Sequence, residues 1–185
     1  DQGGYKINAV CNYNDHGKIE SAVADGATIT VAGKKHTKDT LIDPEDELNE
    51  ALAKGGSYTL QTDIKVNETI AIPEGVTVIL DLNGYAITSG YQSGSSTNHI
   101  YTFNNSGKFT ITDSKVEGSI TCRGIFNQDG ATLTVNNAKI IAEDYNGGSC
   151  IWSYGGEVYL NNATLIGYTG CVSSEGYVEI NGGTY

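Results

Sequence analysis

One short phrase recurs five times in residues 80–185 and limits the fold more than any other feature. Its pattern is apolar, any, apolar, Asn or Thr, a turn residue, a small residue, any, apolar. The copies lie 29, 24, 25 and 20 residues apart, and they begin at Leu80, Phe109, Leu133, Val158 and Val178. A unit this short cannot bury a core by itself, so each copy must be one coil of a stack.

A second set of short apolar runs lies between the copies, at 100–104, 124–127, 150–153 and 171–174. Each coil therefore holds two or three short strands. This arrangement is typical of a right-handed parallel β-helix, in which every strand pairs with the equivalent strand of the next coil. We therefore expect an all-β solenoid in which like residues stack into columns about 4.8 Å apart.

Two such columns are predicted. The asparagines at the fourth position of the phrase should hydrogen-bond to one another along the axis as a buried ladder. Its members are Asn83, Asn136, Asn161 and Asn181. Aromatic residues of the second set of runs should stack as part of the core, and these are Phe103, Phe126 and Trp152.

The N-terminal part of the chain carries no repeat. Alternating apolar residues predict a small β segment or lid over 1–42. A helix is expected over 43–56, because Asp43 is a good N-cap, Pro44 suits the first helical position and three acidic residues follow. Its apolar stripe should cap the first coil of a β-helix that occupies 57–185.

Three runs carry a resemblance to a known group of proteins: ELNEALAKGG at 47–56, YTLQTDI at 58–64 and IPEGVTVILDLNG at 72–84. With the repeats, they resemble the right-handed β-helix proteins of the pectate-lyase-like superfold, as in gut bacterial surface proteins and phage virion fibre and tail proteins. The resemblance implies the fold and leaves the function open, because lyases, hydrolases, adhesins and fibres all use this superfold.

Charge and composition limit the classes of molecule that we expect the chain to bind. The chain has 22 acidic and 11 basic residues, a net charge of −11, and Arg123 is its only arginine. Such a surface repels phosphates, so we expect neither nucleic acid nor anionic membranes as partners. No apolar run is long enough for a spanning helix. The absence of Met and the break inside the last copy suggest a piece of a longer protein, whose β-helix continues past Tyr185.

Catalytic acids are expected to be scattered. An enzyme of this superfold would need clustered acids, and the chain offers Asp81, Asp113, Glu117, Asp129, Glu143, Asp144, Glu157, Glu175 and Glu179. Asp81 and Glu179 fall four coils apart, about 19 Å, which is too far to cooperate. His16, His36 and His99 have no metal-ligand spacing, so neither a metal nor a cofactor is predicted.

Two of the four cysteines occupy the same place in consecutive coils. Cys150 and Cys171 should lie one above the other with parallel side chains. That direction strains a disulfide torsion, although the spacing would allow the bond. We favour two buried free thiols and leave the disulfide as the alternative.

A tyrosine follows the last strand of the phrase in three copies, and these are Tyr91, Tyr145 and Tyr168. A file of exposed tyrosines would be a platform on which sugar rings stack. The alternative is that tyrosine is simply common here, with 12 copies in 185 residues.

These observations predict a non-catalytic structural or adhesive module of an extracellular surface or virion fibre protein, with a surface glycan as its candidate partner. The alternative is a module of a carbohydrate-active enzyme, a polysaccharide lyase or a glycoside hydrolase. A homotrimer would close exposed strand edges, as in many fibres, although no residue pattern here specifies one.

Overall fold

The computed structural model of the chain describes residues 29–31, 34–36, 44–89, 101–142 and 148–185. The chain divides into two compact units, Asp1–Asp43 and Pro44–Tyr185. In the first unit, strands β1 (Ile29–Val31) and β2 (Lys34–His36) pair in antiparallel fashion. The second unit is a parallel β-solenoid of about five coils with a helix at its first coil.

The helix, α1 (Pro44–Lys54), forms where the sequence predicts it. Leu48 and Leu52 are fully buried and belong to the same core as the first strands, so the helix caps the solenoid. The Glu45 carboxylate fastens the helix to the turn at residues 67–68. It accepts hydrogen bonds from the backbone N–H groups of Asn67 at 2.6 Å and Glu68 at 2.9 Å.

Fifteen further strands follow in the described part of the chain. They are β3 (Gly56–Thr59), β4 (Ile64–Val66), β5 (Ile70–Ile72), β6 (Thr77–Asp81), β7 (Ala86–Ser89), β8 (Phe103–Asn105), β9 (Lys108–Thr112), β10 (Ser119–Cys122), β11 (Ile125–Asn127), β12 (Thr132–Asn136), β13 (Lys139–Ala142), β14 (Ser149–Ser153), β15 (Glu157–Gly167), β16 (Gly170–Ser174) and β17 (Tyr177–Thr184).

The strands form three faces, and every pairing among them is parallel. The first face runs β3, β6, β9, β12 and then the N-terminal halves of β15 and β17. The second runs β4, β7, β10, β13 and then the C-terminal halves of the same two strands. The third runs β5, β8, β11, β14 and β16.

Apolar columns fill the space inside the three faces. On the first face Val78, Phe109, Leu133 and Val158 lie in register, and all are buried. Each fully buried aliphatic side chain contributes about 1.5–3 kcal/mol relative to an exposed one. The stacked coils therefore share one continuous core, as the repeat predicts.

The predicted asparagine ladder is confirmed for three of its four members. Asn136, Asn161 and Asn181 are in register, but Asp81 holds the equivalent place in β6. The prediction for Asn83 is wrong by two residues. Because the inward positions in 76–82 are all apolar, a shift of two residues still leaves an apolar face buried, and the sequence does not distinguish the two registers. The ladder is also only partly buried, not enclosed as predicted.

The predicted aromatic row is wrong at Phe103. Phe126 pairs with Trp152, but Phe103 pairs with Ile125 and points into the core. Neighbouring Asn104 takes the place opposite Phe126. A slip of one residue reverses the side of the sheet, so Phe126 and Trp152 lie half-buried on the outer surface.

The buried polar column lies at the corner after the third face, where sequence analysis did not expect it. Asn105, Asn127 and Ser153 are fully buried and in register. Asn105 donates to Asn127 at 2.8 Å, and Asn127 donates to the Ser153 hydroxyl at 3.1 Å. The two amides also donate to backbone carbonyls of the next coil, at Thr132 and Glu157.

Among the described residues, no helix is long and apolar enough to cross a membrane.

Candidate functional site

The predicted tyrosine file is only partly visible. Tyr91 and Tyr145 lie outside the described residues, so their alignment with Tyr168 remains a prediction. Tyr168 follows β15 and is 57% exposed. A single exposed tyrosine does not define a platform, and the described surface offers a better defined site at another corner.

That corner connects the first and second faces, and its length varies between coils. Residues 137–138 separate β12 from β13, whereas residues 113–118 separate β9 from β10. The longer corner projects beyond the shorter one beside it. A corner that projects from one coil makes a wall next to the flat coils that follow.

Asp113 holds the projecting corner in shape. Its carboxylate is buried, and it accepts hydrogen bonds from the backbone N–H groups of Gly118 at 2.6 Å and Lys115 at 3.3 Å within the corner. It also accepts one from Gly84 of the preceding coil at 2.8 Å. A buried carboxylate that accepts several hydrogen bonds is costly to remove, because its donors would be left without partners.

Val116 lies at the tip of this corner in a strained conformation. Its φ is +59°, a left-handed backbone that β-branched residues rarely adopt. Its side chain is 70% exposed. An exposed, strained apolar residue adds nothing to the core, and strain of this kind concentrates at functional sites.

A groove of about 380 Å³ runs beside the corner. We call it the corner groove, and its lining includes Val116, Glu117, Asn137, Lys139, Asn162 and Thr164. This volume lies within the range of small-molecule sites in proteins. The wall comes from the coil of β10, and the floor comes from the coils of β13, β15 and β17.

Two exposed asparagines in the groove form a hydrogen-bonded pair, which we call the groove asparagines. Asn137 and Asn162 both have φ of +52° and turn the two-residue corners of consecutive coils. The side-chain nitrogen Nδ2 of Asn162 donates to the side-chain oxygen Oδ1 of Asn137 at 3.0 Å. Within the described part of the chain, neither Asn162 Oδ1 nor Asn137 Nδ2 has a hydrogen-bond partner.

A second polar cluster lies on the outer side of the first face. The rings of Tyr159 and Tyr177 are 5.8 Å apart and tilted by 53°. Each hydroxyl donates to a glutamate on its own strand, Tyr159 to Glu157 at 3.1 Å and Tyr177 to Glu179 at 2.8 Å. Both hydrogen bonds raise the pKa of the tyrosine that donates.

The same contacts make Glu179 a poor proton donor. Hydrogen bonds from Asn181 and then from Tyr177 hold the pKa of Glu179 below its usual value. A glycosidase acid needs a raised pKa. Glu179 is therefore suited to accepting hydrogen bonds or pairing with a cation, and not to protonating a leaving group.

The register keeps Asp81 four coils away from the coil that carries Glu179, as the sequence predicts. Among the described residues, no group of three His, Cys, Asp or Glu side chains is arranged to hold a metal ion. Two further candidate acids, Glu143 and Asp144, lie outside the described residues, so their place on the surface is not assigned.

The two cysteines are free thiols, as favoured from the sequence. Cys150 is buried, and burial raises the pKa of its thiol to about 11. Cys171 is only half-buried, so the prediction that both are buried is wrong for it. Because the buried thiol stays protonated at neutral pH, Cys150 is not a nucleophile.

Sequence analysis missed the corner groove, although parts of it leave a trace. The doublets Asn136-Asn137 and Asn161-Asn162 mark the two short corners, and Asp113 with Gly118 marks the long one. What the sequence does not reveal is the left-handed conformation of Val116. Nothing about a valine in a polar loop predicts a positive φ.

Comparisons with family models, curated proteins and solved structures find no match to this chain. Its fold and its surface chemistry are therefore the basis for assigning a role.

Proposed function

We propose that this chain is a non-catalytic module of an extracellular surface or virion fibre protein, and that it binds a glycan along its side. We also propose that its solenoid belongs to the pectate-lyase-like superfold. The observation that carries the proposal is the unbroken register of the coils. It repeats outward side chains at a fixed spacing of about 4.8 Å, and a repeating surface suits a repeating polymer.

Stiffness supports the structural part of this role. The side-chain ladders Asn105–Asn127–Ser153 and Asn136–Asn161–Asn181 tie consecutive coils together along the axis. Such ladders add to the backbone pairing and resist bending of one coil against the next. A stiff rod with a polar exterior is suited to presenting binding surfaces away from a cell or a particle.

Surface chemistry supports the adhesive part. The outer side of the first face carries Thr110, Thr134 and Tyr159 in one column, and Thr112, Asn136 and Asn161 in the next. Hydroxyl and amide groups beside tyrosine rings are the groups that bind sugars. The net charge of −11 disfavours polyanionic polymers such as nucleic acids.

Incubation with immobilised glycans and with soluble polysaccharides tests the proposal. We expect retention of at least one glycan, with no change in the length of the soluble polymer after prolonged incubation. Shortened products from the polymer would establish a carbohydrate-active enzyme instead. Failure to retain any glycan would remove the adhesive role.

A further inference from the structure

We propose that the corner groove is the glycan site, and that it takes an extended, uncharged oligosaccharide with acetamido substituents. This inference rests on the proposed function and specifies where and what the chain binds. Apart from Ala138, the residues that line the groove do not belong to the buried apolar core.

The groove runs along the axis of the solenoid, as the binding of an extended polymer requires. Lys139, Thr164 and Thr184 are in register on the second face and line the groove one coil apart. From the coil of Gly118 to that of Thr184 there are three steps, so the groove extends about 14 Å along the axis. Its polar groups therefore form a row that matches successive sugar units.

The groove asparagines, Asn137 and Asn162, have hydrogen-bonding groups that match those of an acetamide. Asn162 Oδ1 is an acceptor without a partner among the described residues, and Asn137 Nδ2 has a donor hydrogen to spare. An acetamide offers one N–H donor and one carbonyl acceptor. An acetamide at either end of this pair would extend the side-chain hydrogen bonding, because it would donate to Asn162 Oδ1 at one end or accept from Asn137 Nδ2 at the other.

Val116 offers an apolar contact for the methyl group of the acetamide. Its exposed isopropyl group is the apolar part of the groove wall, and a hydroxyl-only sugar would leave it without a matching surface. Asp113 keeps the corner folded so that Val116 remains projected, which makes Asp113 a positioning residue. Core packing does not require the unfavourable φ of Val116, whereas this contact with the ligand explains it.

The charges of the lining favour an uncharged ligand. Glu117 and Lys139 both line the groove, and their charges cancel. Glu117 would repel the carboxylates of a polyuronate, and Lys139 would repel the ammonium groups of a polyamine. An acetylated amino sugar carries no charge and avoids both repulsions.

Binding of a chito-oligosaccharide tests the chemistry, with a cello-oligosaccharide of equal length as the control. The two share a linkage and differ in the acetamido group. We expect the chito-oligosaccharide to bind at least about tenfold more tightly, because the cello-oligosaccharide lacks the hydrogen bonds and the methyl contact. Equal binding of both, or binding of another sugar class only, would overturn the acetamido assignment.

Two matched substitutions test the location. Thr164→Val removes a hydroxyl from the groove, and Thr121→Val makes the same change on the outer side of the second face, at a residue that does not line the groove. Thr164→Val should weaken binding of the chito-oligosaccharide several-fold, whereas Thr121→Val should leave it unchanged. The reverse result would overturn the groove and leave the glycan-binding function intact.

Val116→Gly separates binding from folding. Glycine accepts a φ of +59° without strain, so thermal stability should hold or rise, while the loss of the methyl contact should weaken binding several-fold. A variant that is at least as stable and binds unchanged would overturn the role of Val116. If no glycan of any class binds the unaltered chain, the proposed function fails together with this inference.

Discussion

Two side-chain ladders run along the same solenoid and use the same amide chemistry in different surroundings. The inner ladder, Asn105–Asn127–Ser153, is fully buried at the corner after the third face. The outer ladder, Asn136–Asn161–Asn181, lies on the surface, with hydrogen bonds of 2.8 and 3.0 Å. The geometry of the bonds is therefore alike, and access to water is the main difference.

This difference determines how strongly the stability of the protein depends on each ladder. A buried amide that loses its partner has no water to replace it, so the inner ladder should be strongly required. Water can replace any partner that an outer amide loses. Similar ladders in one fold thus allow burial to be tested with the hydrogen bond held constant.

The largest effect is expected at the centre of the inner ladder. Asn127→Ala removes hydrogen bonds to Asn105, Ser153 and the Glu157 carbonyl, and it leaves a cavity. We expect the free energy of unfolding to fall by about 3 kcal/mol, measured by chemical denaturation. A loss under about 1 kcal/mol would show that the buried ladder adds little.

A smaller loss is expected where the backbone closes against the inner ladder. A Cβ at Gly156 would collide with the Asn127 amide and with the Gln128 carbonyl. Gly156→Ala should therefore cost about 2 kcal/mol of unfolding free energy. The control is Gly170→Ala, whose Cβ would meet only the Ser149 hydroxyl at 3.7 Å and which should be close to neutral. Equal losses in the two variants would contradict the role of close packing.

The outer ladder should tolerate the same truncation. Asn161→Ala breaks the hydrogen bonds to Asn136 and Asn181, but water reaches all three positions. We expect a loss of about 0.5 kcal/mol by the same denaturation measurement. If this variant were as unstable as Asn127→Ala, burial would not be what distinguishes the two ladders.

The smallest effect is expected in how the stability of the protein changes at acidic pH. Asp81 occupies the outer column in β6, where burial alone would raise its pKa, but backbone hydrogen bonds from Ser114 and Asn83 hold the pKa below its usual value. A lowered folded-state pKa stabilises the protein above the unfolded value and is lost as pH falls through the folded value. Between pH 5 and about pH 2, the unaltered chain should lose slightly more stability than Asp81→Asn. Identical pH profiles would contradict this.

The fold was predictable because columns of like residues appear as repeats, and those repeats fix the number of coils. Register within a coil was less certain. Asn83 was placed wrongly because an alternating strand resembles itself after a shift of two residues. Phe103 was misplaced by one residue because the corners between strands differ in length.

The inner ladder and the corner groove were harder to predict for separate reasons. Asn105 precedes a turn, where asparagine is common for local reasons, so its burial could not be distinguished from turn preference. The groove depends on a difference in length between two corners and on the left-handed conformation of Val116. The first is a property of neighbouring coils together, and the second is a local conformation that a valine in the sequence does not indicate.

The unequal corners also bear on how this surface can change. Residues 113–118 and residues 137–138 connect the same two faces, yet the strands on either side stay in register. Insertions at this position are absorbed outside the core, so loop sequences could be exchanged between coils without altering how the protein folds. A library of corner loops on this scaffold would vary recognition while the underlying architecture remained constant.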